Sequence, residues 1–295
     1  MSTVVQATDI AATGRSRTRT SLLPALLLAP ALTWIVVFFL LPLGLMSWRS
    51  LASEGVSLAP YATLLTSPLY TKVLLTTVKL ASIATVCALI LAYPIAYTLT
   101  VAGPRLRAAI LLFVLIPYWV DIIVRSFSWL IMLGDNGLIN KALIGLGLIS
   151  EPLALLYTTF SVLVAMTQIL LPITIVTLFG AMLRIDLTLL SAAKIHGAGD
   201  WQAFRTVFFP LSLPGVYGAG LLAFILALGF YVTPALLGSP KETMIAQTIM
   251  VDASQLLDWA QASAAGTVLL VITLAIATIY NRYFSLDRLW GGSEP

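Results

Sequence analysis

Two opposite charges stand four residues apart inside an otherwise apolar run: Asp121 and Arg125, within IPYWVDIIVRSFSW (116–129). On a helix that spacing puts both on one face. Charges in apolar surroundings cost several kcal/mol unless they pair or meet water. Two accounts of the pair follow: mutual neutralisation that pins the helix, or the lining of a solute route. Tyr118, Trp119 and Trp129 flank it, as packing or as ring faces for a cation. Gln168 sits mid-way along the next apolar run, either as an interhelical hydrogen bond or as part of the same route. His196 is the only histidine and Cys87 the only cysteine. No set of His, Cys, Asp and Glu has metal-ligand spacing, and no phosphate-cradling GxxxxGK[ST] loop occurs. No nucleophile–base set stands out either, so catalysis is not the expected role.

The elements that must position these groups are membrane helices. Hydrophobic residues make up 60% of the 295 positions and charged residues 9%, whereas a soluble domain carries roughly 25% charged residues to wet its surface. Mean hydropathy is +1.01. An about 30 Å hydrocarbon core needs about 20 apolar residues in a helix. Six segments qualify: 22–48, 73–100, 106–133, 153–183, 216–237 and 264–284. The first run is too long for the core of a signal peptide. Ten Lys and Arg fall on one side of these spans (Arg15, Arg17, Arg19, Arg105, Arg107, Arg184, Lys194, Arg205, Arg282, Arg288) and four on the other (Arg49, Lys72, Lys141, Lys241). That bias puts both termini in the cytoplasm. It also accounts for the net charge of +4 without a nucleic-acid partner. Residues 1–20 read as a flexible tail, 21–290 as a six-helix membrane bundle and 291–295 as a short second tail. Prolines recur in the spans (Pro30, Pro42, Pro94, Pro117, Pro172, Pro234), consistent with a kinked bundle around a cavity.

The loop between spans four and five, RIDLTLLSAAKIHGAGDWQAFRTVFFPLSLPG (184–215), reads as two short helices. Asp186 is placed to cap the first and Gly197 to end it. Asp200 is placed to cap the second, on which Trp201, Phe204 and Phe208 share a face. Pro210 and Pro214 are expected to end it. Such a pair of helices is a docking surface, or an amphipathic linker on headgroups.

Ser191-Ala192-Ala193, Gly197, Pro210-Leu211 and Pro214-Gly215 resemble the cytoplasmic EAA–G–LP signature of ATP-binding-cassette (ABC) importer permeases. The 116–129 stretch, GDNGLIN (134–140), GFYVTPALLGSPKETMIAQTI (229–249) and LDWAQASAAG (257–266) are similar, in the same order, to spermidine/putrescine-type permeases. The resemblance implies an all-α membrane fold of the type I importer kind, six spans with a coupling loop at 184–215, in a bacterial inner membrane. It implies that Ser191, Ala192, Ala193, His196, Gly197, Asp200, Trp201, Phe204 and Pro210 meet a cytoplasmic ATPase dimer, which holds the ATP and magnesium, so that this chain binds no cofactor or metal. It also implies a second, related permease subunit, a periplasmic binding protein, and a small polar solute of the polyamine or related amine-containing kind. Tyr118, Trp119, Asp121, Arg125, Gln168 and Tyr231 would line its route. Ser191 stands where the signature has glutamate, and Tyr231 and Ala235 stand where some polyamine permeases carry glutamates. The rival class is a self-contained secondary transporter or channel, which calls for inverted repeats or broken helices with an ion site.

Overall fold

The computed structural model describes residues 22–52 and 56–284. They divide into two compact units, one ending at Met46 and the other starting at Ser47. The expected tails at 1–20 and 291–295, and Arg288, lie outside the described residues. Among the described residues there are helices and no strands.

The first unit holds α1 (Leu22–Ile35), a π turn (Val36–Leu40) and most of α2 (Leu41–Arg49). The second continues through α3 (Ala59–Thr66), α4 (Pro68–Val101), α5 (Pro104–Leu115), α6 (Ile122–Leu133), α7 (Leu138–Gly145) and α8 (Thr159–Met182). After the loop come α9 (Thr188–Ile195), α10 (Asp200–Ala203), α11 (Phe209–Leu228), α12 (Val232–Leu237), α13 (Ile245–Ser254) and α14 (Trp259–Phe284). Six stretches are long and apolar enough to cross a membrane: Leu27–Arg49, Pro68–Val101, Ile122–Gly145, Thr159–Met182, Asp200–Leu228 and Trp259–Tyr280.

The core of the second unit is α4 packed on α8 and α11. Apolar burial cannot hold helices together in lipid, so close packing must, and small residues permit it. The sequence supplies them at helical steps. Ala81, Ala84, Ala88, Ala92 and Ala96 form a fully buried stripe along α4, and Ala219, Ala223 and Ala227 form another along α11. At Gly215 the approach of α11 to α8 is so close that a Cβ would lie 2.5 Å from Ala181 Cβ. Gly215→Val is therefore expected to destabilise the bundle by about 1–3 kcal/mol. Gly180, whose Cβ position is open, should accept alanine without loss. Thermal unfolding of the two purified variants in detergent checks both.

Prolines act differently by position. Pro94 and Pro172 lie inside continuous helices. Pro42 and Pro210 each follow a π turn, Val36–Leu40 and Phe204–Phe208, closed by Leu41 N–H to Val36 O and Phe209 N–H to Phe204 O. The carbonyl that each proline ring would strike, four residues back, lies within that turn, where the wider winding makes room. Contrary to the expectation from sequence, Pro210 and Pro214 therefore do not end the second loop helix. The helix runs on from Asp200 to Leu228.

Spans three and five are broken instead. α5 ends at Leu115, a 3₁₀ turn covers Ile116–Trp119, Val120 is extended, and α6 starts at Ile122. The stretch expected as the third span, 106–133, is thus not one helix, and the long apolar stretch found there is Ile122–Gly145. Pro117 withholds an N–H from the helical ladder, yet Ile116 before it keeps helical angles (φ −52°, ψ −51°) and the chain turns extended only at Val120, one residue ahead of the Asp121 cap. Span five stops at Leu228 and resumes as α12 after Gly229–Tyr231. The short α6 and α12 pack on each other, with Ser126 Oγ and Thr233 Oγ1 3.2 Å apart in the buried interface. Broken helices, one of the features that the rival transporter class calls for, are present in this part of the chain.

Candidate functional site

Two places gather the residues singled out by sequence: the 184–215 loop, and the region around the two helix breaks.

In the loop, Asp186 Oδ1 accepts the Thr188 N–H at 2.9 Å, just ahead of α9. That bond holds its carboxyl below the usual aspartate range. At the other end Gly197 adopts φ +89°. The Ala198 N–H bonds Ala193 O at 3.1 Å and the Gly197 N–H bonds Lys194 O at 2.9 Å, the paired 6→1 and 5→2 closure of a glycine-terminated helix. Asp200 does not cap α10; Gly199 precedes that helix, with no side-chain cap. Asp200 Oδ1 instead lies 2.6 Å from Lys194 Nζ, an exposed ion pair that joins the two helices across the glycine turn. The pairing raises the Lys194 pKa.

The aromatic face is confirmed in detail. Trp201 stacks on Phe204 at 5.5 Å between centroids, and Phe204 on Phe208 at 6.0 Å. Tyr97 meets Phe204 and Phe208 edge-on at 5.2 and 4.9 Å, and Tyr93 meets Phe204 at 6.2 Å. These rings seat the loop on α4. Phe208 is fully buried, while Trp201 is 72% exposed and Ile195 on α9 is 84% exposed. Ser191, Ala192, His196 and Pro210 are also exposed, and Ala193 is half-buried. The loop is therefore anchored by one side and presents apolar and charged groups on the other.

At the breaks, Asp121 and Arg125 form no ion pair. Asp121 is the N-cap of α6, with its Oδ1 accepting the Ile123 N–H at 2.7 Å. Arg125 Nε and Nη1 are buried without a hydrogen-bond partner. A direct salt bridge thus does not join the pair. Tyr118 and Trp119 are exposed on the 3₁₀ turn, and Tyr231 is exposed at the break before α12. The contact of α6 with α12 brings the two breaks into one neighbourhood. Gln168 lies on the wall of a cavity of about 440 Å³ between α4, α5 and α8, together with Pro94, Pro172 and Pro117, the last of which belongs to the 3₁₀ turn at the first break. Its Oε1 has no partner, so it does not serve as the expected interhelical acceptor.

Two buried clamps were missed. Glu242 Oε1 accepts from Thr159 Oγ1 at 2.8 Å, and its Oε2 accepts from Ser239 N at 2.9 Å and from Ser239 Oγ. Asn140 Nδ2 donates to Gly134 O and Leu153 O, and its Oδ1 accepts the Leu153 N–H at 2.9 Å. The first was readable, since Ser239-x-x-Glu242 is the S-x-x-E capping-box pattern. No local pattern marks the second.

Residues 84–286 match the family described as binding-protein-dependent transport system inner membrane component. The spermidine/putrescine transport system permease protein PotB of Salmonella typhimurium (strain SL1344) is 31% identical over 257 residues, covering 84% of this chain and 89% of the relative. PotB of Escherichia coli (strain K12) is 30% identical over 256 residues, covering 84% and 93%. The structure of a bacterial ABC transporter involved in import of the acidic polysaccharide alginate matches with TM-score 0.71 at 20% identity, covering 89% of this chain and 94% of that one.

Proposed function

From the premise that the chain belongs to the binding-protein-dependent transport system inner membrane component family, and is thereby a multi-pass inner-membrane permease subunit of an ABC importer, we propose the following fuller reading. It forms part of the route for a small amine-containing solute of the polyamine kind, delivered from outside by a periplasmic binding protein. A cytoplasmic ATPase dimer supplies the energy and holds the nucleotide and magnesium. A second, related permease subunit completes the route, and both termini and the 184–215 loop face the cytoplasm.

The observation that carries the coupling role is the loop itself. Its helices are fixed to each other by the Gly197 closure and the Lys194–Asp200 pair, and fixed to α4 by edge-on ring contacts. A push on the exposed Ile195 and Trp201 side therefore reaches α4 and α11 without being lost in a slack linker. The cargo class rests on the relatives, whose names specify spermidine and putrescine. Tyr118, Trp119, Asp121, Arg125 and Tyr231 fit the route because the helix breaks free backbone polar groups beside them, and irregular backbone at membrane depth belongs where protein or water covers it.

The purified chain alone is expected to hydrolyse no ATP. Proteoliposomes holding the chain with its ATPase, second permease and binding protein should take up labelled putrescine only when ATP is supplied. Uptake by the isolated chain driven by an ion gradient would instead favour the self-contained transporter, and ATP hydrolysis by an ATPase-free preparation would refute the permease role.

A further inference from the structure

α5 is loosely held along its length within this chain. None of its side chains is buried outright, and Ile110, Leu111 and Val114 are only partly covered. The cavity of about 440 Å³ opens between it, α4 and α8. Its base is different. Arg107, at the fourth position of α5, reaches back over the corner to α4. Its Nε donates to Leu99 O at 2.9 Å, and its Nη2 donates to Thr100 O and Ala102 O at 3.2 Å each. The guanidinium carbon also lies 5.6 Å from the centre of the Phe179 ring on α8. One side chain thus joins three helices.

The last carbonyls of a helix have no partners within it. On α4 the Ala102 N–H takes Thr98 O, and Arg107 takes the next two. α4 has no basic residue in its own last turn. α5 supplies the cation instead, near its own N-terminus, where the helix dipole disfavours one. An arginine needed only for the charge bias across the membrane could sit in solvent, as the neighbouring, exposed Arg105 does. The contacts also call for a guanidinium, whose planar fork reaches several carbonyls at once while its face covers a ring; an ammonium does neither as well. This clamp adjoins the seat of the 184–215 loop. Tyr97, which meets Phe204 and Phe208 edge-on, stands one turn before the end of α4. Leu99 and Phe179 share a buried cluster with Phe208, and Ile185 and Leu190 of the loop pack against it. At its other end α5, 12 residues and about 18 Å long, runs into the 3₁₀ turn at the first break. A lever fixed at its base and free along its length passes on what its base receives.

We propose that Arg107 is a positioning residue that gears α5 to the loop. Displacement of the loop carries the last turn of α4 through Tyr97. The Arg107 fork makes the base of α5 follow, and α5 delivers the movement to the break at Ile116–Val120. With the fork removed, α4 moves and α5 lags, so ATP is hydrolysed without the break changing in step. This gearing rests on the coupling role of the loop proposed above.

The test uses the complete assembly in proteoliposomes, with putrescine uptake and ATP hydrolysis measured on the same vesicles. Arg107→Met is expected to lower the putrescine taken up per ATP hydrolysed about tenfold, while copurified ATPase and the hydrolysis rate stay within about twofold of wild type. Arg107→Lys, a cation without the fork, and Phe179→Leu, which removes the ring face, should each lower that ratio about threefold. Arg105→Gln, which removes the same charge two residues away, should leave it unchanged. A wild-type ratio in Arg107→Met overturns the gearing, and so does an equal loss in Arg105→Gln. Uptake and hydrolysis that fall in the same proportion would make Arg107 a structural residue and overturn it as well. If Arg107→Met fails to assemble, the other two variants decide, and a wild-type ratio in both overturns the gearing. A wild-type assembly with no ATP-dependent uptake would instead overturn the coupling role on which the gearing rests.

Discussion

Trp201→Asp is expected to lower the affinity of the permease for its ATPase by about two orders of magnitude and to abolish uptake, while the amount of folded permease stays the same. Trp201 is 72% exposed yet held by stacking on Phe204 at 5.5 Å, so its ring is a preorganised apolar anchor. Buried tryptophans in interfaces commonly carry 2–4 kcal/mol on truncation, and a carboxylate at that point adds the cost of burying a charge. Gly197→Val reaches the same outcome by another path. A Cβ there meets nothing within 4 Å, but φ is +89°, a conformation that costs a β-branched residue at least about 1–2 kcal/mol. The strain opens the turn that sets α9 against α10. Copurification of the ATPase with each variant, in amounts normalised to folded permease, is the measurement. A full complement of ATPase on both variants would remove the loop from the docking role.

The second large effect is on stability. Glu242→Ala should destabilise the fold by about 3 kcal/mol, because hydrogen bonds to a charged acceptor contribute about 1.5–3 kcal/mol each and the buried Glu242 carboxylate makes three of them. Three donors converge on this carboxylate, one of them on α8, so its loss frees the segment after α12 from the bundle. The same bonds set a pH signature. Burial works against the charge, but the Ser239 and Thr159 donors outweigh it and hold the carboxyl below the usual glutamate range. A depressed folded-state pKa contributes stability that is complete above the unfolded value and is lost as pH falls through the folded one. The gap in thermal midpoint between wild type and Glu242→Ala should thus be constant near neutrality and close only below the ordinary glutamate range. A gap that closes between pH 8 and 6 would show that another group controls it.

Much of the architecture was legible because membrane helices write themselves in long apolar runs. The loop helices were legible too, since Gly197 is a local signal with one backbone meaning. The breaks were not, because proline by itself does not say whether a helix stops. Pro94 and Pro172 sit in unbroken helices, Pro210 follows a π turn, and Pro117 interrupts. What distinguishes Pro117 is the residue that comes next in the right conformation: Asp121, an N-cap before a fresh apolar run. Read as a cap, Asp121 would have announced a new helix; read by its spacing to Arg125, it suggested a charge pair on a continuous one. Asp200 was misread in the opposite sense, since Lys194, six residues away and beyond a glycine turn, claims it only once the turn has folded. Gln168 stood out in the sequence as a polar residue in an apolar run, but its unpartnered oxygen and its proline neighbours on other elements depend on packing that no local pattern states.

The uninterrupted run from Asp200 to Leu228 has a mechanical consequence. At 1.5 Å per residue its 29 residues make a rod about 43 Å long. Its near end carries Trp201 and its far end abuts the break at Gly229–Tyr231, where α12 meets α6. A rigid rod of about 43 Å tilted by about 10° about one end displaces the other by about 7 Å, more than a full helical turn of axial travel. Had Pro210 ended the helix, that displacement would have dissipated in a joint. The π turn keeps the shaft whole while giving it one compliant section, so the stroke delivered at the far end depends on bending stiffness at Phe204–Phe208 as much as on the force applied at the loop.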